Sequence, residues 1–218
     1  MNKLVIFDLD GTLTDTLDSL QICANEAVAA FGCGPYERER FCYFAGDGMR
    51  ELVKRCLCDV DSEKEVYLDQ AVSKYQELFA ENCMYHVEPY EGIKELLGVL
   101  KKTGVMLAVN SNKPHSEAVE VVETIFGKDY FDMIVGNSEE RPKKPSPEGI
   151  HYIMKTLGVS PQDVLYLGDT DTDMKTGKNA GVFTIGVLWG FRKRAELEEN
   201  GADAIIAHPL EALIYLQE

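Results

Sequence analysis

The chain has little positive charge: 22 lysine and arginine residues stand against 37 aspartate and glutamate residues, which gives a net charge of −15 at pH 7. Nucleic acids and anionic membranes bind positive surfaces, so we expect neither as a partner. No apolar run in the sequence approaches the roughly 20 residues that cross a bilayer. Residues 1–13 also lack the basic stretch, apolar core and cleavage site of a signal peptide. We therefore expect a cytoplasmic protein.

Cysteine is also scarce, with six residues in a chain of 218 and no CxxC pair. A chain of this length can build a hydrophobic core without disulfide bonds, and nothing in the sequence indicates secretion. We predict reduced cysteines that are mostly buried. All six lie between residues 23 and 83, which marks that stretch as different from the rest of the chain.

Two carboxylates follow the first apolar run. Leu4 to Phe7 are four consecutive apolar residues, which favour a strand buried on both faces, and Asp8 and Asp10 come directly after them. Ligands of open α/β sheets bind beyond the carboxyl ends of the strands. Two anions held so close together favour a bound cation or a shared proton. An ordinary Asp-Gly turn is the alternative.

After residue 84 the pattern alternates between strand and helix, which is typical of right-handed crossovers in a doubly wound parallel sheet. The predicted strands are 105–109, 132–136, 163–167, 182–187 and 203–206. The predicted helices are 91–102, 114–126, 147–157, 172–179, 193–200 and 209–217.

Residues 16–84 contain helical patterns and no convincing strand. We predict helices from residue 16 or 17 to about 31, from 49 to about 57, and from 62 to about 81, with Ser62 as the N-cap of the last. Residues 37–44 show no clear periodicity. The predicted architecture is an α/β core of residues 1–14 and 85–218, with a helical cap domain, residues 15–84, inserted after the first strand.

Polar residues follow the later strands as well. They are Asn110 to Lys113, the basic loop Arg141 to Ser146, and the acidic run Gly168 to Asp173. Each is common by itself, but together four neighbouring strand ends would present carboxylates, a hydroxyl and an ammonium group to one crevice. That set fits phosphoryl transfer assisted by a hard cation such as Mg²⁺. The basic residues Lys113, Arg141, Lys143 and Lys144 would also attract an anionic substrate to an acidic molecule.

In these features the chain resembles the haloacid dehalogenase superfamily of phosphohydrolases, and within it the phosphoglycolate phosphatase-like branch. The four matching motifs are Asp8-Leu9-Asp10-Gly11-Thr12, Ser111, Lys144 in its Lys-Pro-Ser-Pro context, and Gly168-Asp169-Thr170-Asp171-Thr172-Asp173. The branch is indicated by Asn112-Lys113-Pro114 and by the stretch from Gly186 to Phe191.

The resemblance implies a role for each motif. Asp8 would attack phosphorus and form an aspartyl-phosphate; with a reference pKa of about 3.9 it would be ionised at neutral pH and would need no base to activate it. Asp10 would protonate the leaving alkoxide and then deprotonate water. Ser111 and Lys144 would bind the phosphoryl group.

The resemblance also implies a Mg²⁺ site and a substrate pocket. The predicted metal-binding residues are Asp8, the Asp10 backbone carbonyl, Asp169 and Asp173, with Asp171 as an alternative to Asp173. The predicted substrate-binding residues are Ser111, Asn112, Lys144 and Arg50. Arg50 could bind a substrate carboxylate, or it could be an ordinary exposed arginine. Lys143 remains a rival to Lys144.

These residues predict a magnesium-dependent phosphatase of a small phosphate monoester, with 2-phosphoglycolate as the leading candidate. The protein would be a monomer or a homodimer. Alternatives within the superfamily are a pyrophosphatase, a nucleotidase and a phosphosugar mutase. An alternative of another class is a non-catalytic phosphate-binding module whose Asp8 accepts phosphate and keeps it. The cap would act as a lid that excludes water and bulky phosphoproteins.

Overall fold

The computed structural model describes residues 3–216. Within those residues the strands are β1 Leu4–Phe7, β2 Thr14–Asp15, β3 Glu88–Pro89, β4 Met106–Pro114, β5 Met133–Asn137, β6 Val164–Gly168, β7 Phe183–Val187 and β8 Ala204–Ile206. The α-helices are α1 Leu17–Ala29, α2 Arg38–Phe44, α3 Met49–Cys58, α4 Leu68–Asn82, α5 Ile93–Thr103, α6 His115–Phe126, α7 Glu148–Leu157, α8 Asp171–Ala180 and α9 Arg194–Glu199. Three 3₁₀ helices span Ser62–Tyr67, Pro161–Asp163 and Pro209–Tyr215.

Six strands form one parallel sheet in the order β5-β4-β1-β6-β7-β8. The order runs outward in both directions from β1, which places the end of β1 at the topological switch point where α/β proteins bind ligands. All four residues of β1 are buried, as a central strand covered on both faces requires. The predicted α/β class and doubly wound parallel sheet are confirmed.

The register brings the predicted site residues to one level of the sheet. Phe7, the last residue of β1, lies beside Val109 of β4 and Leu167 of β6. The next residues along these three strands are therefore Asp8, Asn110 and Gly168. Side chains that follow in each loop start from neighbouring points at one edge of the sheet.

Strand β4 is longer than predicted. It extends through Pro114 rather than ending at residue 109, and its pairing with β5 shifts register between Asn110 and Pro114. The polar residues Ser111, Asn112 and Lys113 therefore belong to an extended strand segment and not to a free turn. Their alternation places successive side chains on opposite sides of that segment.

The chain divides into two compact units, one formed by the stretch up to Thr14 together with the chain from Pro89 onward, and the other by Asp15–Glu88. The helical unit ends at residue 88 rather than at the predicted residue 84. The added residues include Val87, which is buried, and His86, whose Nδ1 lies 3.3 Å from Asp18. Strands β2 and β3 pair with each other in a separate sheet.

The helical unit, Asp15–Glu88, differs from prediction in two places. Helix α2 occupies residues 38–44, where no periodicity was visible, because a helix of this length buries only two side chains, Phe41 and Phe44. The long helix predicted from residue 62 is a 3₁₀ helix followed by α4. Its N-cap is Asp61, which accepts a hydrogen bond from the Glu63 backbone N–H, and not Ser62.

Three smaller findings complete the description. Residues 209–215 form a 3₁₀ helix instead of the predicted α-helix, and residue 217 lies outside the described range. Four of the six cysteines are buried and the other two are partly buried. None of the helices between residues 3 and 216 has the length and apolar character of a membrane-spanning segment.

Candidate active site

Asp8 begins the site. It is the first residue after β1, it is 5% exposed, and its backbone N–H donates to the Leu167 carbonyl at 2.9 Å. That hydrogen bond continues the pairing of β1 with β6 and fixes the backbone of the residue. The Lys144 ammonium lies 2.7 Å from Asp8 Oδ1. This separation is typical of a charge-assisted hydrogen bond between a carboxylate and an ammonium group.

Asn112 determines which of two adjacent lysines enters the site. Its Oδ1 accepts a hydrogen bond from the Lys144 backbone N–H at 2.8 Å, and its Nδ2 donates to the Lys144 carbonyl at 3.3 Å. These two hydrogen bonds hold the Lys144 backbone on both sides of its Cα; the Lys144 side chain is buried, whereas Lys143 is exposed. The geometry therefore favours Lys144. A role for Asn112 in binding substrate remains a prediction.

Asp173 lies on the other side of the same ammonium group. Its Oδ1 lies 2.7 Å from Lys144 Nζ and accepts the Tyr166 hydroxyl at 2.6 Å. Its Oδ2 accepts the backbone N–H of Thr170 at 3.1 Å and the hydroxyl of that residue at 2.6 Å. The Asp173 backbone N–H in turn donates to Thr170 Oγ1 at 3.3 Å, which completes a capping box at the start of α8. Four donors thus occupy the carboxylate, which fits a residue that positions Lys144; direct metal coordination by Asp173 stays a prediction.

Asp169, the first acidic residue after β6, is fully buried. Its Oδ1 accepts the Thr12 hydroxyl at 2.9 Å, and its Oδ2 accepts the Phe191 backbone N–H at 2.8 Å. The residue is therefore held from two sides, by the turn after Asp10 and by the segment after β7. A carboxylate held in this way cannot rotate, which pre-organises it as a ligand.

The segment after β7 supports the site in a way that the sequence did not reveal. Trp189 Nε1 donates to the Thr12 carbonyl at 2.9 Å. A Cβ atom at Gly190 would overlap both the Asp169 side chain and the Gly11 carbonyl, so only glycine fits there. The N–H groups of Trp189 and Phe191 therefore secure the loops that carry Asp10 and Asp169.

The carboxylates of Asp8, Asp169 and Asp173 crowd together, with ligand oxygens within 4.8 Å of one another. Burial, and next the negative charge of Asp173, raise the pKa of Asp8 well above its usual range. The same two causes raise the pKa of Asp169 to about 7. Burial would also raise the pKa of Asp173, but Lys144 outweighs it and lowers the pKa below the usual value.

These pKa shifts correct the expectation that Asp8 is ionised without assistance. The reference pKa applies to a solvated carboxylate, whereas Asp8 is buried among like charges. Three ionised carboxylates and the single Lys144 ammonium would leave a net charge of −2 in a buried volume. A divalent cation supplies the missing charge, and carboxylate oxygens are the ligands that Mg²⁺ prefers. The donor set therefore fits the implied ion.

Ser111 and Lys113 lie on the extended part of β4. The Lys113 backbone N–H donates to Ser111 Oγ at 3.2 Å. Because this bond uses a lone pair of the oxygen, the Ser111 hydroxyl hydrogen remains available to donate elsewhere. The Lys113 ammonium lies 3.0 and 3.1 Å from the two carboxylate oxygens of Asp10. The structure thus adds Lys113 to the predicted residues around Asp10.

Two predicted residues have other partners. Asp171 pairs with Lys175 at 2.6 Å, one turn along α8, and does not belong to the carboxylate cluster identified among the described residues. Arg50 lies on α3 of the helical unit and pairs with Asp69 at 2.8 Å, with both side chains more than half exposed. The structure shows this ion pair, and a substrate-binding role for Arg50 remains a prediction.

Comparison with protein families identifies the fold. The model of the haloacid dehalogenase-like hydrolases matches residues 5–187, which include every motif residue of the site. The chain belongs to this family. The resemblance inferred from the four motifs is therefore confirmed, and the protein is a hydrolase.

Individual relatives cover nearly the whole chain. A phosphoglycolate phosphatase of Aquifex aeolicus (strain VF5) is 32% identical over 88% of this chain and 87% of its own. The N-acetylmuramic acid 6-phosphate phosphatase of Pseudomonas aeruginosa is 31% identical over 97% of this chain and 93% of its own. The crystal structure of a candidate phosphoglycolate phosphatase from Lactobacillus delbrueckii has a TM-score of 0.92 and 28% identity, covering 99% of this chain and 98% of that one. This hydrolase therefore shares its complete fold with phosphatases.

Proposed function

We propose that this hydrolase is a magnesium-dependent phosphatase that cleaves a small phosphate monoester through an aspartyl-phosphate on Asp8. The observation that carries the proposal is the Asp8–Lys144 contact of 2.7 Å inside a buried carboxylate cluster. A carboxylate, an ammonium group and a set of oxygens able to ligate a cation meet there, which is the combination that phosphoryl transfer requires.

In the first step a carboxylate oxygen of Asp8 forms a bond to phosphorus while the bond between phosphorus and the ester oxygen breaks. Asp10 gives a proton to the departing oxygen, so an alcohol leaves. Ser111 donates a hydrogen bond to the phosphoryl group, and Lys144 offsets its negative charge together with that of Asp8. Bound Mg²⁺ would neutralise charge on the phosphoryl oxygens; Asp8, the Asp10 carbonyl and Asp169 would hold it, with Asp173 behind them.

In the second step water attacks the phosphorus of the aspartyl-phosphate. Asp10 takes a proton from that water, the bond between phosphorus and the Asp8 oxygen breaks, and inorganic phosphate leaves. Both catalytic aspartates return to their starting protonation states, so the cycle balances. The same residue serves first as acid and then as base because it loses its proton in the first step.

The relatives support a small substrate and favour two chemical classes. The Aquifex aeolicus phosphoglycolate phosphatase points to 2-phosphoglycolate, which remains the leading candidate. The Pseudomonas aeruginosa N-acetylmuramic acid 6-phosphate phosphatase matches a larger share of this chain and points to an amino-sugar phosphate. The second candidate therefore deserves a place in any substrate panel. Cytoplasmic location and a monomeric or dimeric state remain predictions.

The test is steady-state hydrolysis of p-nitrophenyl phosphate, 2-phosphoglycolate, N-acetylmuramic acid 6-phosphate, pyrophosphate and a nucleoside monophosphate, with and without Mg²⁺. We expect release of phosphate that requires Mg²⁺ and falls by at least about 10³-fold in Asp8→Asn, because the amide cannot attack phosphorus. Asp171→Asn is the matched control, since Asp171 pairs with Lys175 outside the cluster. Undiminished turnover by Asp8→Asn, or turnover without a divalent ion, would refute the proposal.

The same panel separates the rivals. A pyrophosphatase or a nucleotidase would show its highest kcat/KM on pyrophosphate or on the nucleotide. A phosphosugar mutase would release little phosphate and would require a bisphosphate activator. A phosphate-binding module would accumulate a long-lived phosphoenzyme without turnover.

A further inference from the structure

The ion pair of Lys113 and Asp10 is unusual because one ammonium group contacts both carboxylate oxygens and both side chains are largely buried. One ammonium nitrogen lies 3.0 and 3.1 Å from the two oxygens of a single carboxylate. The Lys113 side chain is 3% exposed and the Asp10 side chain 19%. A lysine side chain normally keeps its head in water, so an arrangement that buries the head against one carboxylate is unusual.

A contribution to the stability of the folded protein does not explain why this ion pair is buried. Removing two charges from water costs several kcal/mol per ion, and hydrophobic residues of similar volume are often as good or better. The surroundings are also functional rather than structural. The residue two places before Lys113 is Ser111, whose Oγ accepts the Lys113 backbone N–H, and the residue two places before Asp10 is Asp8. Each of the two aspartates of the first motif thus has its own buried ammonium group, Lys144 for Asp8 and Lys113 for Asp10.

The geometry restricts how Asp10 can move. A carboxylate held through both oxygens by one donor cannot turn about its terminal torsion without breaking a contact. An acid that must reach the ester oxygen in one step and a water molecule in the next depends on such alignment, because proton transfer needs heavy atoms at hydrogen-bond distance. Lys113 lies on β4 between two points of pairing with β5, at Asn110 and Pro114, and its backbone N–H donates to Ser111 Oγ, so its own backbone is held.

We propose that Lys113 is a positioning residue that aligns the Asp10 carboxylate for proton delivery to the leaving oxygen. Lys113 keeps its protons throughout the cycle; the proton that moves is carried by one Asp10 oxygen while the other oxygen keeps its contact with Lys113. This inference rests on the proposed phosphatase function, and it concerns a residue to which none of the four motifs assigns a part.

The proposal predicts a dependence on the leaving group. An alkoxide is a poor leaving group and needs the proton that Asp10 supplies, whereas p-nitrophenolate leaves readily without it. The ratio kcat/KM is the appropriate quantity, because it covers only the steps up to departure of the alcohol. In contrast, kcat also contains hydrolysis of the aspartyl-phosphate. Misalignment of Asp10 should therefore reduce kcat/KM for alkyl phosphates selectively.

The experiment compares Lys113→Met with the wild-type enzyme in Mg²⁺, using p-nitrophenyl phosphate and the alkyl phosphate of the panel that has the highest wild-type kcat/KM. Methionine keeps the apolar stem and removes the charge. We expect kcat/KM for the alkyl phosphate to fall about 100-fold, the lower range for loss of acid catalysis, and the value for p-nitrophenyl phosphate to fall less than about 5-fold. Lys3→Met is the matched control, because Lys3 pairs with Asp163 at the surface at 3.2 Å.

A double mutant adds a readout that a purely structural role would not move. Adding Lys113→Met to Asp10→Asn should cost less than about 2-fold further in kcat/KM for the alkyl phosphate, since residues that act as one unit are not additive. Lys113→Arg should restore part of the activity by supplying two N–H groups to the same carboxylate. Lys113→Gln replaces Lys113→Met if the latter does not fold, as judged by circular dichroism.

The outcomes distinguish this inference from the proposed function. Equal losses on both substrates, or multiplicative losses in the double mutant, would overturn the inference while leaving the phosphatase intact. Absence of phosphate release by the wild-type enzyme on every ester would overturn the proposed function itself. A selective loss on the alkyl phosphate, with non-additivity, supports both.

Discussion

The two units of the molecule use charge in opposite ways. In the α/β unit the charged residues Asp8, Lys113, Lys144, Asp169 and Asp173 are buried; Lys144 pairs with Asp8 and Asp173, and Lys113 pairs with Asp10. In the helical unit, none of the charged residues described is fully buried, and several ion pairs lie at the surface, such as Arg50 with Asp69, Lys54 with Glu65 and Lys74 with Glu77. The buried polar side chains recorded between Asp15 and Glu88 are two uncharged hydroxyls, Thr16 and Ser19.

The difference indicates which unit contains the reactive groups and which depends on its apolar core. Exposed ion pairs contribute about 0–1 kcal/mol each, so the helical unit depends on its apolar core for stability. Buried charges are costly unless they are paired or hold a metal, so their concentration at one edge of the sheet marks the region that does chemistry. The same kind of substitution should therefore have unequal effects in the two units.

The largest contrast is expected between two neighbouring lysines of the α/β unit. Lys144→Met should lower kcat/KM about 10³-fold, because it removes the charge that faces the phosphoryl group and leaves Asp173 unpaired. Lys143→Met should change kcat/KM by less than about 3-fold, since Lys143 is exposed. Phosphate-release kinetics on p-nitrophenyl phosphate measure both. The reverse ranking would show that the wrong lysine has been assigned.

Metal binding should depend on pH through the buried carboxylates. In the metal-free protein the pKa of Asp169 is raised to about 7, and burial also raises the pKa of Asp8 well above its usual range. The folded state therefore holds protons that the unfolded chain releases above about pH 4, so the free energy of unfolding falls as the pH rises from about 4 to about 7. Mg²⁺ binds the ionised carboxylates, so the stabilisation it provides should grow over the same interval.

Calorimetry in Mg²⁺ and in EDTA checks this prediction. The increase in Tm caused by Mg²⁺ should be small near pH 5.5 and should correspond to about 2–3 kcal/mol near pH 8 with the ion at about 100 times its Kd. Asp8→Asn should flatten the dependence because it removes one of the titrating groups. An increase in Tm that is equal at both pH values would contradict the link between cation and carboxylates.

Removal of one buried tyrosine hydroxyl in each unit compares the two units through a smaller expected effect. Tyr166→Phe removes the 2.6 Å hydrogen bond to Asp173, the partner of Lys144, and should lower kcat about 5- to 10-fold, equivalent to about 1 kcal/mol. Tyr75→Phe is the matched change in the helical unit, where Tyr75 is equally buried and stacks on Phe79. It should lower Tm without changing kcat. Equal effects on kcat would contradict the contrast.

The smallest expected effect concerns Arg50. Because Arg50 and Asp69 are exposed, Arg50→Gln should reduce the free energy of unfolding by less than about 1 kcal/mol. If Arg50 binds a substrate carboxylate as predicted, KM for 2-phosphoglycolate should rise about 10-fold while KM for p-nitrophenyl phosphate stays constant. Asp69→Asn serves as the control, since it breaks the same ion pair and keeps the arginine. A proportional rise in KM for both substrates would refute the predicted specificity role.

Sequence reasoning located the polar residues that directly follow a strand, but it did not find the hydrogen bonds that hold one loop against another. Asp8, Ser111 and Asp169 could be located because each follows a buried apolar run by one or two residues, and strand ends meet at one edge of a parallel sheet. That Asp173 joins the carboxylate cluster while Asp171 pairs with Lys175 was visible only in the structure. The supports from Asn112 and Trp189 are contacts with backbone atoms of distant segments, for which sequence spacing carries no signal.

The central claim is that an oxygen of Asp8 becomes bonded to phosphorus during turnover. Acid quenching of a single turnover in Mg²⁺, followed by peptide mapping by mass spectrometry, tests this most directly. The account predicts a transient phosphate on the peptide that contains Asp8, which appears before inorganic phosphate and is absent from Asp8→Asn. Phosphate on another residue, or product formation with no phosphopeptide at any quench time, would contradict it.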